Sequence, residues 1–157
     1  EMKKLAAQYQ IPFVINDNIK VALEVDADGV HIGQDDMSVE EARKLLGEDK
    51  IIGVSAHNVK EALKAQKGGA DYLGVGAVCA TSTKKDANVV SKEEIKKIKE
   101  AVDIPIVAIG GIKKDNIDAL TGTGIDGVAV VSAIFGAKDI TKDTKELLKT
   151  VKKMKQE

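Results

Sequence analysis

The stretch that decides the fold covers residues 28–36 and reads Asp28-Gly29-Val30-His31-Ile32-Gly33-Gln34-Asp35-Asp36. An aspartate and a glycine lead into a short apolar run, and the run ends in polar and acidic residues. Apolar residues fill nearly every position of the run instead of every second one. This pattern is typical of a strand in a parallel sheet that is covered on both faces.

Five more runs of this kind occur along the chain and predict a sheet of six strands. The predicted strands cover residues 12–16, 29–33, 51–55, 72–76, 104–109 and 127–131. Three of them follow an aspartate, at Asp28, Asp71 and Asp126, so the strand starts repeat along the chain. Such a repeat is typical of successive β/α units.

Segments with helical periodicity separate the strands. Ser38 with Glu41, and Ser91 with Glu94, have the spacing of a capping box, in which a serine hydroxyl accepts a hydrogen bond from the first helical turn. The predicted helices cover residues 38–46, 58–67, 91–102, 114–120 and 141–155, and an earlier one contains Met2, Leu5, Ala6 and Tyr9.

Six β/α units predict an α/β fold of the TIM (β/α)₈ barrel class, incomplete here, with strands 3–8 of the eight. A full barrel takes about 250 residues. We therefore expect one domain, residues 1–157, that forms the C-terminal three-quarters of a barrel. The chain is expected to begin inside a helix, with two units upstream. A doubly wound open sheet is the alternative, although no Gly-x-Gly-x-x-Gly follows the first predicted strand.

Composition argues against several classes of function. The chain has a formal net charge of -1, with two Phe, two Tyr and no Trp. A nucleic-acid platform would be basic and rich in stacking aromatics, so we expect no nucleic-acid partner. No apolar run reaches the roughly 18 residues that span a bilayer, so no membrane partner is expected. The single cysteine, Cys79, favours a reducing compartment, the cytoplasm.

Polar side chains follow the predicted strands, at the edge where parallel β/α folds have their sites. Asp17 follows the first strand and Asp36 follows the second. Two carboxylates at neighbouring strand ends could hold Mg²⁺ together with phosphate oxygens. Aspartate is also a preferred N-cap, so both residues could instead cap the helices that follow. His31, inside a strand, is either a packed histidine or a site residue.

Two other regions have groups that suit phosphate. The loop Thr81-Ser82-Thr83-Lys84-Lys85-Asp86 combines hydroxyls with lysines, as either a diphosphate site or a solvated loop would. Gly110-Gly111 and Val131-Ser132 follow the last two strands, where barrels commonly bind phosphate through backbone N–H groups. The glycines could also serve only to permit a tight turn.

Seven segments occur in the order found in a known family. They are Val14-Ile15-Asn16-Asp17, residues 28–36, Gly53-Val54-Ser55-Ala56-His57, residues 70–76, residues 81–86, Ile109-Gly110-Gly111-Ile112 and residues 126–134. Together they resemble the thiamine phosphate synthase family. The resemblance implies a TIM-barrel transferase that joins hydroxymethylpyrimidine diphosphate to hydroxyethylthiazole phosphate. Thiamine phosphate and diphosphate would form by a Mg²⁺-assisted dissociative displacement, without a protein nucleophile.

The resemblance also implies roles for residues at the strand ends. Asp17 and Asp36 match the Mg²⁺ ligands, and Ser55 and Lys84 match catalytic groups that face the diphosphate. The implied substrate-binding positions are Asn16 for the diphosphate, His31 for the pyrimidine, and Thr81, Thr83, Gly111, Val131 and Ser132 for the thiazole phosphate.

Two departures from the family pattern leave other functions open. Ala77 and Ala80 stand where the family has prolines, and no segment matches its Gln-x-Arg-x-x-Lys diphosphate motif. One alternative is a thiazole tautomerase-like barrel, which needs no metal-binding aspartates. The other is a non-catalytic phosphate-binding fragment. An incomplete barrel would also leave unpaired strand edges, so we expect self-association.

Overall fold

The computed structural model describes residues 1–80 and 89–154, which form a parallel sheet in the order β1 to β6. The strands are β1 Val14–Asn16, β2 Gly29–Ile32, β3 Ile51–Ala56, β4 Tyr72–Val75, β5 Ile106–Ile109 and β6 Gly127–Ala129. All six predicted strands are confirmed, and no end differs by more than two residues. The architecture is a parallel α/β half-barrel, consistent with the TIM-barrel class.

Helices precede β1 and follow most of the strands. They are α1 Met2–Gln8, α2 Ile19–Glu24, α3 Val39–Leu46, α4 Val59–Lys67, α5 Lys92–Ala101, α6 Ser132–Phe135 and α7 Ile140–Met154. Two of them, α2 and α6, were not predicted, because six and four residues are too few to show a helical period. No helix among the described residues is long and apolar enough to cross a membrane.

The helix predicted at residues 114–120 is wrong, because only the 3₁₀ turn Ile117–Leu120 forms there. The Asn116 side chain holds the start of this segment as a loop. Its Oδ1 accepts a hydrogen bond from Lys113 N at 2.7 Å, and its Nδ2 donates to Gly111 O at 2.9 Å. Asparagine side chains that bond nearby backbone in this way compete with helix formation.

The two faces of the sheet differ in burial. Side chains that point to the helices are buried and form the sheet's share of the core: Val30, Ile32, Ile52, Val54, Leu73, Val75, Ile106 and Ala108. The opposite, inner face is only half-buried in the described structure, and Ile109 on it is 38% exposed. The apolar runs predict two covered faces, but only the helix side is covered among the described residues. The inner face is where the polar side chains of the strands lie.

The aspartates that precede β2, β4 and β6 share one structural role. Their carboxylates accept backbone N–H hydrogen bonds from the strand before: Asp28 from Phe13 at 2.7 Å, Asp71 from Ile52 at 2.7 Å and Asp126 from Ile106 at 2.8 Å. The sequence repeat is therefore a repeated link between neighbouring strand starts. It lies at the amino-terminal edge of the sheet and leaves the carboxyl-terminal edge free for function.

The Asp71 link should contribute measurably to stability. Its Oδ2 also accepts a hydrogen bond from Arg43 Nη2 at 2.7 Å, and the bonded Ile52 is fully buried. We expect Asp71→Ala to lower the free energy of unfolding by about 2 kcal/mol, because a buried N–H loses its acceptor. Urea denaturation measures this. Asp49→Ala, at an exposed position, is the control, and equal losses in both variants would contradict the assigned role.

Candidate functional site

Three predicted site residues share the inner face of the sheet. In the parallel register Asn16 of β1 pairs with His31 of β2, which pairs with Gly53 of β3. Ser55 lies two residues beyond Gly53, and positions two apart in a strand point to the same face. The register therefore brings Asn16, His31 and Ser55 together near the carboxyl ends of adjacent strands.

His31 lies between two hydroxyl groups. Its Nδ1 is 3.0 Å from Tyr72 Oη, and its Nε2 is 3.0 Å from Ser55 Oγ. The His31 and Tyr72 rings are tilted by 37°, with centroids 5.5 Å apart. Tyr72 was not predicted as a site residue, because its contact with His31 depends on strand order and register. Burial raises the pKa of the Tyr72 hydroxyl, which therefore stays protonated near neutral pH.

Two glycines make room for these rings. A Cβ on Gly53 would lie 2.1 Å from Tyr72 Cζ, and a Cβ on Gly74 would lie 2.7 Å from His31 Cε1. Neither distance is possible for real atoms, so any larger residue would displace a ring. Gly53 and Gly74 thus allow the aromatic rings to pack directly against the backbone of β3 and β4.

Gln34 connects the loop after β2 to β3. Its Nε2 donates to the Ser55 carbonyl oxygen at 2.5 Å. The sequence gives Gln34 a position after the strand but no role, since its partner lies 21 residues away. This contact holds the backbone that carries the Ser55 hydroxyl.

Neither predicted metal ligand is a helix N-cap. Asn18 caps α2, accepting from Val21 N at 3.0 Å, and Ser38 caps α3 in a complete capping box. Asp17 instead has a φ of 63°, and its N–H donates to His31 O at 2.7 Å. Asp36 Oδ2 accepts from Gly33 N at 2.7 Å. The capping alternative for the two aspartates is therefore wrong.

The two carboxylates at this edge are the kind of ligand that Mg²⁺ prefers. Asp17 and Asp36 are both exposed and follow neighbouring strands, and each is fixed by a backbone hydrogen bond to β2 or its loop. Among the described residues there is no group of three or more His, Cys, Asp or Glu side chains that could hold a metal. Mg²⁺ typically takes one or two carboxylates and completes its shell with phosphate oxygens and water. Two carboxylates suit an ion that arrives with a diphosphate.

Gly110 and Gly111 follow β5 with φ angles of 95° and 68°. A Cβ on Gly111 would lie 2.4 Å from Ala80 O, and one on Gly110 would lie 2.7 Å from Ala77 Cα. Cys79 N donates to Gly110 O at 3.1 Å. The glycine pair therefore packs against the backbone that leads into the 81–86 loop. Thr81, Thr83 and Lys84 themselves lie outside the described residues.

A second region opens at the ends of β5 and β6. A cavity of about 750 Å³ is lined by Lys113, Lys114, Asp115, Ser132 and Ala133. The short helix α6 begins at Ser132, with Val131 as its N-cap, and both residues are exposed. The first N–H groups of a helix have no partner within it and suit an anion.

The two lysines of this cavity were missed by sequence reasoning, although they directly follow the Gly110-Gly111-Ile112 segment. They differ in their surroundings. Lys114 Nζ forms a hydrogen-bonded ion pair with Glu146 of α7, and this contact raises the pKa of Lys114. No ion pair of Lys113 occurs within the described structure. Of the two lysines, Lys113 is therefore the one whose charge is available to a ligand in the cavity.

His57 and Cys79 are two further titratable side chains, in the segments that follow β3 and β4. His57 Nδ1 lies 2.8 Å from Glu61 Oε2 at the start of α4. Burial raises the pKa of Glu61, but hydrogen bonds from the His57 side chain, the His57 backbone and Asn58 outweigh it and lower the pKa overall. Burial raises the pKa of the Cys79 thiol, which makes it a poorer nucleophile.

Comparison with known proteins identifies the family. A family model described as thiamine monophosphate synthase matches residues 1–134. The chain belongs to this family. A thiamine-phosphate synthase of Clostridium acetobutylicum is 53% identical over 98% of this chain and 72% of that protein. One from Methanobrevibacter smithii is 54% identical over 97% of this chain and 73% of that protein.

A solved structure agrees with the family. Thiamine phosphate pyrophosphorylase from Pyrococcus furiosus superimposes with a TM-score of 0.87 at 48% identity, covering 96% of this chain and 72% of that chain. The resemblance read from the motifs is thereby confirmed. Because the similar proteins bear the synthase name, the comparisons do not favour the tautomerase or the non-catalytic alternative.

Gly111 should be intolerant of substitution for steric reasons beyond its φ. Gly122 provides a matched control, because its φ is 73° and a Cβ there would meet nothing within 4 Å. We expect Gly122→Ala to cost about 1 kcal/mol of unfolding free energy, from backbone strain alone. Gly111→Ala should cost at least about 1 kcal/mol more, because its Cβ meets backbone oxygen. Equal losses in urea denaturation would mean that the close approach to Ala80 is absent.

Proposed function

We propose that the protein joins hydroxymethylpyrimidine diphosphate to hydroxyethylthiazole phosphate, forming thiamine phosphate and releasing diphosphate. One observation carries this proposal, and it concerns the carboxyl-terminal edge of the sheet. At the β1–β3 end of this edge, Asp17 and Asp36 follow the strands that carry Asn16 and His31. At the β5–β6 end lies the cavity with Lys113 and Lys114. The acidic residues suit a metal-bound diphosphate, and the charge of Lys113 in the cavity suits a phosphate monoester. The two proposed substrates carry these two groups.

The residues at the acidic end would hold the leaving group. Asp17 and Asp36 would bind Mg²⁺. The ion would neutralise part of the negative charge that develops on the departing diphosphate. Asn16, Ser55 and Lys84 would donate hydrogen bonds to the diphosphate oxygens. Donors fixed in place before reaction stabilise developing charge without reorganising.

The remaining residues would align the two substrates. His31 would line the pyrimidine pocket, and the thiazole phosphate would be bound by Thr81, Thr83 and the backbone at Gly111, Val131 and Ser132. The methylene–oxygen bond breaks with its electron pair leaving on the diphosphate, and the thiazole nitrogen lone pair forms the new carbon–nitrogen bond. No proton passes through the protein, so catalysis consists of positioning, charge stabilisation and exclusion of water.

Replacement of a metal ligand tests the function. Asp36→Asn keeps an oxygen that can accept from Gly33 N but removes the charge. We expect thiamine phosphate formation from the two substrates and Mg²⁺ to fall at least about 100-fold, because a direct ligand should matter no less than its supporting neighbours. Product formation is measured by chromatography. Raising Mg²⁺ should partly restore the rate.

Asp35→Asn is the matched control, since Asp35 is also exposed and adjoins Asp36. Calorimetric titration with inorganic diphosphate, with and without Mg²⁺, reports binding separately from turnover. Mg²⁺-dependent binding without product would favour a phosphate-binding protein that lacks synthase activity. Equal activities of Asp35→Asn and Asp36→Asn would contradict the metal assignment.

We further propose that the half-barrel is an incomplete barrel that self-associates through its edges. Within the described residues β1 pairs only with β2, and β6 pairs only with β5. Open edges expose backbone N–H and C=O groups that can pair with another chain. The enzyme is proposed to act in the cytoplasm, where the free thiol of Cys79 is stable.

Blocking one edge should weaken self-association. Phe13 N and Asp17 N both bond towards β2, so by alternation Val14 N points away from it. We expect Val14→Pro to raise the concentration at which oligomers form in sedimentation velocity, since proline removes that edge donor. Ile15→Pro, which would break the ladder to β2, is the destabilising comparison. A wild-type chain that stays monomeric at high concentration would rule the proposal out.

A further inference from the structure

Three side chains on adjacent strands form one hydrogen-bonded series on the inner face. It runs from Tyr72 Oη to His31 Nδ1 at 3.0 Å, and from His31 Nε2 to Ser55 Oγ at 3.0 Å. A neutral imidazole has one N–H donor and one acceptor nitrogen, so these two hydrogen bonds together can run in either of two directions. The direction decides what the Ser55 hydroxyl presents to a ligand.

The chemistry of the two hydroxyls selects the direction. A phenol is a better hydrogen-bond donor than an aliphatic alcohol, because its O–H is more acidic. Tyr72 therefore donates to Nδ1 of His31, which leaves the ring proton on Nε2. The Nε2–H group then donates to Ser55 Oγ, and the Ser55 hydrogen stays free to point at another acceptor.

We propose that Tyr72 is a positioning residue that sets the tautomer of His31 and thereby aims the Ser55 O–H at an anionic oxygen of the diphosphate. The inference rests on the proposed function for the identity of that anion. In the reverse direction Ser55 would donate to His31 and offer the ligand only lone pairs, which repel phosphate oxygens.

The surrounding contacts hold the series in place. The Tyr72 ring lies directly over Gly53, and the His31 ring lies over Gly74. Gln34 fixes the Ser55 backbone through its carbonyl oxygen at 2.5 Å. The two rings therefore pack directly on the strand backbone, and close packing limits their motion.

The tautomer can be observed directly. The chain has two histidines, His31 and His57, and only His31 contacts Tyr72. In long-range ¹H–¹⁵N correlation spectra of ¹⁵N-histidine protein, we expect wild-type His31 to carry its proton on Nε2. Tyr72→Phe should move the His31 nitrogens towards a mixture of tautomers and leave His57 unchanged. A wild-type His31 protonated on Nδ1 would overturn the inference, whatever the enzyme activity.

A double-mutant cycle tests whether Tyr72 acts through Ser55. Calorimetric titration with inorganic diphosphate and Mg²⁺ should show about three- to tenfold weaker binding for Tyr72→Phe and for Ser55→Ala, as for loss of one hydrogen bond. The double variant should bind no more weakly than Ser55→Ala alone. Tyr9→Phe, at an exposed tyrosine, is the control. Additive losses would show that Tyr72 acts by another route.

The two experiments separate the inference from the proposed function. If the wild-type chain fails to bind diphosphate, the proposed function is overturned. The proposal that the Ser55 hydroxyl donates to a diphosphate oxygen is then overturned as well. If diphosphate binds but Tyr72→Phe changes neither the tautomer nor the affinity, only the inference is overturned. Urea denaturation of each variant shows whether a loss of affinity reflects loss of fold.

Discussion

Parallel hydrogen bonding between β2, β3 and β4 aligns His31 with Gly53, and Ser55 with Gly74. The polar groups of the inner face depend on this alignment. A shift of one residue in any of these strands would turn its inner side chains towards the helices, where every position is apolar and buried. The same shift would place a side chain where the Tyr72 or His31 ring now rests on glycine. The strand register therefore fixes both which side chains are buried and how the site residues are arranged.

The two edges of the sheet have separate tasks. At the amino-terminal edge, Asp28, Asp71 and Asp126 each accept a backbone N–H from the preceding strand. These links hold the strand starts together. At the carboxyl-terminal edge the loops carry the aspartates, hydroxyls, lysines and glycines that suit metal and phosphate. Stability and function are thus carried by different residues at opposite ends of the same strands.

Sequence patterns predicted much of this arrangement because the relevant signals are local. Apolar runs bounded by turns located all six strands, and serine caps located α3 and α5. The helix prediction for residues 114–120 was wrong, because the Asn116 side chain forms hydrogen bonds with the backbone of the preceding loop and so competes with helix formation. Periodicity does not report that competition. For Asp17 and Asp36, the sequence could not distinguish helix capping from metal binding. The structure rules out capping, because Asn18 and Ser38 are the N-caps of the helices that follow.

By itself, the sequence determined the order of the six strands, the longer helices, the family, and which residues follow the strands at the carboxyl edge, since each follows from local pattern and chain order. Tertiary structure decided which of those residues meet. Tyr72 contacts His31 across 41 positions of sequence, and Gln34 reaches Ser55 across 21. Lys113 and Ser132 likewise line one cavity. Such contacts depend on strand register and loop closure, and nearly all-apolar strands do not reveal in sequence which of their side chains face inward.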